Sequence, residues 1–550
     1  MLTNRVVRRG LGARRVGLSV IVVSLLLPIS AAAQFTEVGA QAGIQFEQFP
    51  EEAVPYGGGA VWADFDGDDW PDLYATQIVG CNRLFLNNQD GTFTEVANAA
   101  GAASCGDTSR GATAADFDND GDQDLYVTNM GQNRLYRNLL AGTGSMDFVD
   151  HTVAVGMDND GGANSSSAVW GDYDKDGYLD LYVGNHKRGG GLECEADLVY
   201  HGNGDGTFSE VGYDLGIALS GTYNYAGCGL AGTWSDYDND GDVDLLVVND
   251  LGPTVVPNRL FRNDGAGGPG GWQLTDVSEE AGFDYEMFGM GIAIGDINLD
   301  GYFEYYMADI GANDLALNMR DGTFAEVAAL ADVEADDSEI YGANGLVSWG
   351  GVLVDLDHDG WEDLVVANGG APQEIFPDVF GEGYVNINPN YVYWNRTNQP
   401  FLEIHEPVGI DDVGYFRNVS FVDYDGDGDL DLHFGVLAGV NRLYRNDVDL
   451  GRNWLQVRAI GTQSNRDAVG SRVAVTVGGL TMIREVDGGS TMLSLNDRTL
   501  HFGLGSNTAA ERVEIQFPSG EYLQFDDVAA GQIFVIVEPD EDGLDGHSDR

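Results

Sequence analysis

Seven times between Asp64 and Asp431 the chain carries a nine-residue segment of the form Asp-x-Asp-x-Asp-Gly-x-x-Asp or a close variant of it, and each copy runs directly into a short apolar stretch. The copies begin at Asp64, Asp116, Asp172, Asp236, Asp296, Asp355 and Asp423, at spacings of 52 to 68 residues. A repeat of this length limits the chain to assemblies in which one supersecondary unit is copied and each copy buries its apolar face against the next.

Positions 1, 3, 5 and 9 bear oxygen in every copy. They are Asp64, Asp66, Asp68 and Asp72; Asp116, Asp118, Asp120 and Asp124; Asp172, Asp174, Asp176 and Asp180; Asp236, Asp238, Asp240 and Asp244; Asp296, Asn298, Asp300 and Glu304; Asp355, Asp357, Asp359 and Asp363; and Asp423, Asp425, Asp427 and Asp431. A hard cation such as Ca²⁺ takes about six to eight oxygens, which a single tight loop supplies from alternate side chains plus the carbonyl of position 7, Asp122 in the second copy. The expectation is about seven structural Ca²⁺ ions. Glycine at position 6 permits a left-handed backbone, and Asp69 replaces it in the first copy. That copy and the fifth, with Asn298 and Glu304, are expected to hold metal most weakly. Ordinary Asp-Gly turns or a salt-adapted acidic surface use the same residues, but seven copies in one phase before an apolar strand favour metal. Position 12 is Ala75, Val127, Val183, Val247, Met307, Val366 and Phe434, where an EF-hand needs Glu, so each loop joins two strands.

Further elements recur around each loop. A small-residue strand precedes it, as in Gly59-Ala60-Val61-Trp62-Ala63. Asn-Arg-Leu-aromatic-x-Asn follows at Asn82–Asn87, Asn133–Asn138, Asn258–Asn263 and Asn441–Asn446, and then a motif like Phe93-Thr94-Glu95-Val96. Four short strands copied seven times indicate an all-β, seven-bladed β-propeller over residues 34–450. Phe35-Thr36-Glu37-Val38 matches the fourth-strand motif with no loop before it, and no such motif follows Asn446. The N-terminal strand is therefore expected to complete the last blade and hide its edge.

The formal charge of −62, with Lys175 and Lys187 the only lysines, excludes nucleic acid and anionic membrane surfaces as partners. Arg5, Arg8, Arg9, Arg14 and Arg15 precede an apolar run ending in Ala31-Ala32-Ala33, so residues 1–33 read as an export signal whose removal leaves no membrane span. Localisation is thus secreted, or periplasmic in a bacterium. Four cysteines in an exported chain favour disulfides, with three pairings open. Cys81 with Cys105 and Cys194 with Cys228 is preferred, because each pair lies between consecutive loops. Asn164, Asn395 and Asn418 stand in glycosylation sequons.

The pattern changes at Gly451 to alternating strands without Asp loops, read as a small β-sandwich-like domain over 451–538 and an acidic tail over 539–550. The repeats resemble the FG-GAP or VCBS repeats of integrin-like propellers, which implies calcium in the Asp loops. Ser464-Asn465-Arg466-Asp467-Ala468-Val469-Gly470-Ser471-Arg472-Val473, Arg484-Glu485-Val486-Asp487-Gly488-Gly489-Ser490, Leu500-His501-Phe502-Gly503-Leu504-Gly505 and Phe517-Pro518-Ser519-Gly520 are similar to an ASPIC and UnbV domain. In this order the two resemble the cartilage acidic protein-like family of secreted proteins. Nucleophile-elbow, zincin and P-loop motifs do not occur, so the expected function leans away from catalysis. The favoured reading is a calcium-stabilised scaffold for an extracellular protein or glycan, with the stretches His186–Cys194 and Gln373–Asn390 as binding surface; Arg466 and Arg484 are a candidate anion site, against the stronger reading that they pair with Glu485, Asp467 or the propeller face. The alternative is an extracellular enzyme with its site in the central channel or at the junction with the C-terminal domain.

Overall fold

The computed structural model describes residues 34–48, 56–158, 162–186, 194–217, 228–252, 256–268, 271–335, 347–370, 388–397 and 399–540. Seven four-stranded antiparallel sheets alternate with the Asp loops, each loop joining the first and second strands of its sheet. The first strands are Ala60–Ala63, Ser109–Ala115, Asn164–Gly171, Gly229–Ser235, Gly289–Gly295, Ser348–Val354 and Phe416–Val422. Each touches the first strand of the next sheet, and the seventh touches the first, so these strands ring a central axis. This is a seven-bladed β-propeller. The ring shuts as the N-terminal motif predicts: Phe35–Glu37 pairs antiparallel with Arg442–Asn446, with Phe35 opposite Asn446 and Glu37 opposite Tyr444.

The core is divided among the blade interfaces, because each twisted sheet exposes an apolar face on either side. Val61, Tyr74 and Leu125 fill the gap between blades 1 and 2. Trp62, Leu73 and Val422 do so between blades 7 and 1. Blades 2 and 3 share one cluster with the C-terminal residues, where Tyr126, Trp170 and Leu181 join Leu455, Val473, Phe502 and Ile515. The C-terminal region is thus fused to the propeller by a common core.

That region holds a three-stranded sheet, ordered Leu500–Gly505, Asn453–Ile460, Ile533–Val537, and a four-stranded sheet, ordered Leu480–Glu485, Arg472–Val477, Ala509–Gln516, Tyr522–Ala529. Both supply residues to one cluster, as a sandwich requires. Between the two sheets in sequence, residues 488–497 leave the domain and enter the propeller axis. Trp62 N–H donates to Leu495 O at 3.2 Å and Leu495 N–H to Ala60 O at 2.9 Å. Ala112 N–H donates to Leu493 O at 3.3 Å, Trp170 N–H to Gly488 O at 3.0 Å and Thr491 N–H to Ile292 O at 2.8 Å. Thr491 Oγ1 donates to Val419 O at 3.2 Å. Met492 and Leu493 pack on Leu230, Met290 and Trp349. Two glycines make room for the plug: a Cβ on Gly59 would lie 1.7 Å from Leu493 O, and one on Gly488 would lie 1.8 Å from Trp170 O.

Cys81 pairs with Cys105 and Cys194 with Cys228. Residues 1–33, and residues 187–193 and 371–387 of the two long stretches, lie outside the described residues, as do residues 541–550 of the tail. Among the described residues no helix is long and apolar enough to cross a membrane. The three sequon side chains are buried; Asn395 Nδ2 donates to Ile297 O at 2.9 Å, and Asn418 donates to Gly58 O.

Candidate metal centres

Each Asp loop is folded by its own carboxylates. The position-1 Asp accepts N–H groups from positions 5 and 6: Asp116 from Asp120 at 2.9 Å and Gly121 at 2.8 Å, and Asp355 from Asp359 at 3.1 Å and Gly360 at 2.8 Å. The position-5 carboxylate accepts the N–H of position 7, as Asp68 does from Trp70 at 3.0 Å and Asp359 from Trp361 at 3.0 Å. Position 9 opens the second strand and ties the loop to the blade. Asp124 takes Phe117 N–H at 3.3 Å and Asn138 N–H at 2.7 Å, and Asp431 takes Tyr424 N–H at 3.3 Å and Asn446 N–H at 2.8 Å. The last Asn of the Asn-Arg-Leu-aromatic-x-Asn motif is therefore tied to the Asp loop.

Asp69, standing where the other loops have glycine, takes φ +70° and keeps the turn. Asp tolerates the left-handed region better than most residues. Position 4 also lies there in every loop: Gly67, Asn119, Lys175, Asn239, Leu299, His358 and Gly426 have φ between +54° and +77°. This places the position-4 side chain against the following loop. Asn119 Nδ2 donates to Gly177 O at 3.0 Å and Asn239 Nδ2 to Gly301 O at 2.9 Å. Lys175 Nζ lies 2.5 Å from Asp242, and His358 Nε2 lies 3.2 Å from Asp429.

The donor set fits a hard cation. In the first four loops, carboxylate oxygens of positions 1, 3 and 9 lie within 4.8 Å of one another. The position-3 Oδ1 of Asp66, Asp118, Asp174, Asn298 and Asp425 is buried without a hydrogen-bond donor. An acceptor orphaned at one place in five copies of a loop calls for a positive partner. Asp72, Asp116 and Asp355 are pushed up to about 8, first by burial; acidic neighbours, foremost Asp66, Asp467 and Asp357 respectively, add to the push. A bound cation reverses that shift and keeps them ionised.

Sequence reasoning missed two further features of these loops. Basic side chains from the third strand reach two of them: Arg137 Nη2 lies 2.6 Å from Asp118 and 2.8 Å from Asp120, and His201 Nδ1 lies 3.0 Å from Asp180. The signal was the basic residue at the fifth place of the third-strand motif. The second feature is that the C-terminal domain covers the whole loop face. Arg458 meets Asp69 at 2.7 Å in loop 1. Asp467 accepts Asp116 N–H at 2.9 Å in loop 2. A Cβ on Gly177 of loop 3 would lie 2.6 Å from Gln463 O. Arg472 bonds Asn239 of loop 4 and donates to Gly301 O of loop 5 at 2.6 Å. Gly503 N–H donates to Asp355 of loop 6 at 3.1 Å, and Gln456 Nε2 to Asp423 of loop 7 at 3.0 Å.

Arg466 and Arg484 are not brought together. Arg466 lies over loop 2, where its N–H donates to Asn119 Oδ1 at 2.8 Å. Arg484, at the end of its strand, pairs with Glu362 Oε1 of loop 6 at 3.1 Å. Docking against different blades separates them.

The FG-GAP-like repeat family matches residues 64–127, 116–183, 236–307 and 355–434, and the ASPIC and UnbV family matches residues 461–543. The chain thus combines FG-GAP-like repeats with an ASPIC and UnbV domain, and it is similar to the cartilage acidic proteins. Cartilage acidic protein 1 of Mus musculus is 25% identical over 502 residues, covering 79% of this chain and 74% of its own. That of Homo sapiens is 24% identical over 420 residues, covering 67% and 62%. Among solved structures, the BP39L lectin of Burkholderia pseudomallei overlays with TM-score 0.40 at 12% identity, covering 70% of this chain and 98% of its own. The Dos1 propeller does so with TM-score 0.39 at 10% identity, covering 69% and 77%.

Proposed function

We propose that the chain is an exported, calcium-loaded scaffold that binds an extracellular protein or glycan through its propeller. The observation that carries the metal part is the donorless position-3 oxygen repeated in five loops. Positions 1, 3, 5 and 9 of each loop, with the position-7 carbonyl, would hold Ca²⁺, which supplies charge neutralisation to otherwise repelling carboxylates. Extracellular modules of this kind bind calcium at about 10⁻⁴ to 10⁻³ M, which suits constant occupancy outside the cell. The disulfides and the name of the relatives support an extracellular setting.

The enzyme alternative has little room in the channel. Residues 488–497 fill the channel on the calcium-loop side. Of two cavities at the junction, the one lined by Arg484, Glu485, Asp487 and His501 has a volume of about 90 Å³, enough for a few waters, and an open cleft between Asn119, Arg137, Gly177 and Arg466 has about 750 Å³.

Metal analysis and thermal unfolding of the loaded and chelator-treated protein test the calcium reading. The expected result is release of about seven ions per chain with a large fall in melting temperature. Unchanged stability after complete chelation would refute structural calcium.

A further inference from the structure

The inner strands begin at the mouth of the channel opposite the calcium loops, and the side chains gathered there have no part in the metal sites. Arg110, Trp349 and Arg417 are each the second residue of their inner strand, in blades 2, 6 and 7. Tyr56 precedes the inner strand of blade 1; His186 ends the second strand of blade 3, and Asp250 follows that of blade 4. Met492 and Leu493 of the plug form an apolar floor with Leu230 and Met290, against which Tyr56 also packs. The mouth is thus a cup with a hydrophobic base and a polar wall.

Arg110 is fully buried, and among the described residues it forms no ion pair. Its Nη1 donates to Asn164 Oδ1 at 2.9 Å, and its guanidinium carbon stands 4.4 Å from the centroid of the Tyr56 ring. Its Nε and Nη2 are buried without an acceptor. Those two N–H groups share one edge of the guanidinium plane. That edge is the fork that grips a carboxylate through two parallel hydrogen bonds. A buried cation with this edge unused is costly, and among the described residues no acidic side chain lies against it.

The surroundings suit an anionic guest. Asp250, the described acid that acts on Arg110, is engaged by His186 Nε2 at 2.9 Å, by Leu251 N–H at 2.7 Å and by the Tyr56 hydroxyl. Arg417, over the Trp349 ring at 4.0 Å, donates to Gly369 O at 3.1 Å and Gly370 O at 2.8 Å, so it holds a second positive charge in the wall. Of Tyr56, Arg110, His186, Asp250, Trp349 and Arg417, Tyr56 is half-buried and the other five are buried. A ligand reaches the fork by displacing the Tyr56 ring.

We infer that the cup is a carboxylate-binding subsite, with the Nε–Nη2 edge of Arg110 as its anchor and the Tyr56 and Trp349 rings as its walls. It deepens the scaffold reading and rests on it, giving that scaffold an acidic ligand group. A uronic acid and an acidic amino acid carry the same carboxylate, and separate probes distinguish them.

The test is calorimetric titration of the calcium-loaded, full-length exported chain with glucuronate, N-acetylglutamate and glucose. Saturable binding of glucuronate or N-acetylglutamate, but not of glucose, is expected. Arg110→Lys keeps the charge without the fork and is expected to weaken binding at least about tenfold, as is Arg110→Gln. Should both variants fail to fold, the Arg110 Nε–H resonance of the unaltered chain decides: a saturable shift with the carboxylate supports the subsite, and no shift overturns it. Equal binding by folded Arg110→Gln, or no binding of either carboxylate with the loops loaded, also overturns it. Neither result touches the calcium reading, which stands or falls on chelation.

Discussion

Replacing Gly488 with alanine tests whether the plug is part of the fold. The added Cβ would stand 1.8 Å from Trp170 O, against backbone. Ordinary contact needs more than 3 Å, so the loop must withdraw by over an ångström. Two bonds go with it, Trp170 N–H to Gly488 O at 3.0 Å and Thr113 Oγ1 to Gly488 O at 3.3 Å. Each contributes about 1 kcal/mol, and overpacking of a rigid site adds about 1–3 kcal/mol. The expected loss is about 3–5 kcal/mol, read as a lower urea midpoint of the calcium-loaded chain. Limited proteolysis should cut residues 488–497 earlier in the variant. Glu511→Ala, at an exposed position of the four-stranded sheet of the same domain, serves as the control. A Gly488→Ala midpoint within about 0.5 kcal/mol of the parent would refute the plug.

The remaining predictions concern the loops and the disulfides. Without cation, Asp72, Asp116 and Asp355 are pushed up to about 8 from an ordinary 3.8, so their folded forms bind the extra protons. That contribution is complete below pH 3.8 and is lost as pH rises through about 8, so the melting temperature of the chelated protein falls from pH 5 to 8.5. Calcium reverses the sign, so the gap between loaded and chelated melting temperatures widens over that range; a constant gap refutes the assignment. Asn119→Gly keeps the left-handed backbone but loses the bonds to Gly177 O and from Arg466 N–H, and is expected to cost about 1–2 kcal/mol in chemical denaturation, with Asn119→Ala costing more. Replacing Cys81 and Cys105 together by serine opens a closure of 24 residues and is expected to cost about 3 kcal/mol in the same assay.

The repeats made the architecture legible because each carries its own local code. Short apolar runs mark strands, the Asp loop marks the turn between the first two, and Phe35-Thr36-Glu37 declares a strand without a partner, which Arg442–Asn446 supplies. The position-4 bridges were half visible: Asn, Lys or His recurs there, but what such a residue meets depends on the loop of the next blade.

Local patterns alone thus determined the strands, the loops, the ring and its closure, since apolar runs and carboxylate spacing act within a few residues. Only tertiary structure decided that the C-terminal domain touches all seven loops, that Arg466 and Arg484 stand over different blades, and that residues 488–497 fill the axis. It alone collected Arg110, Tyr56, His186 and Asp250 at the opposite mouth. Those contacts join residues up to several hundred positions apart, and they depend on how far blade twist turns each strand about the axis, which no short segment encodes.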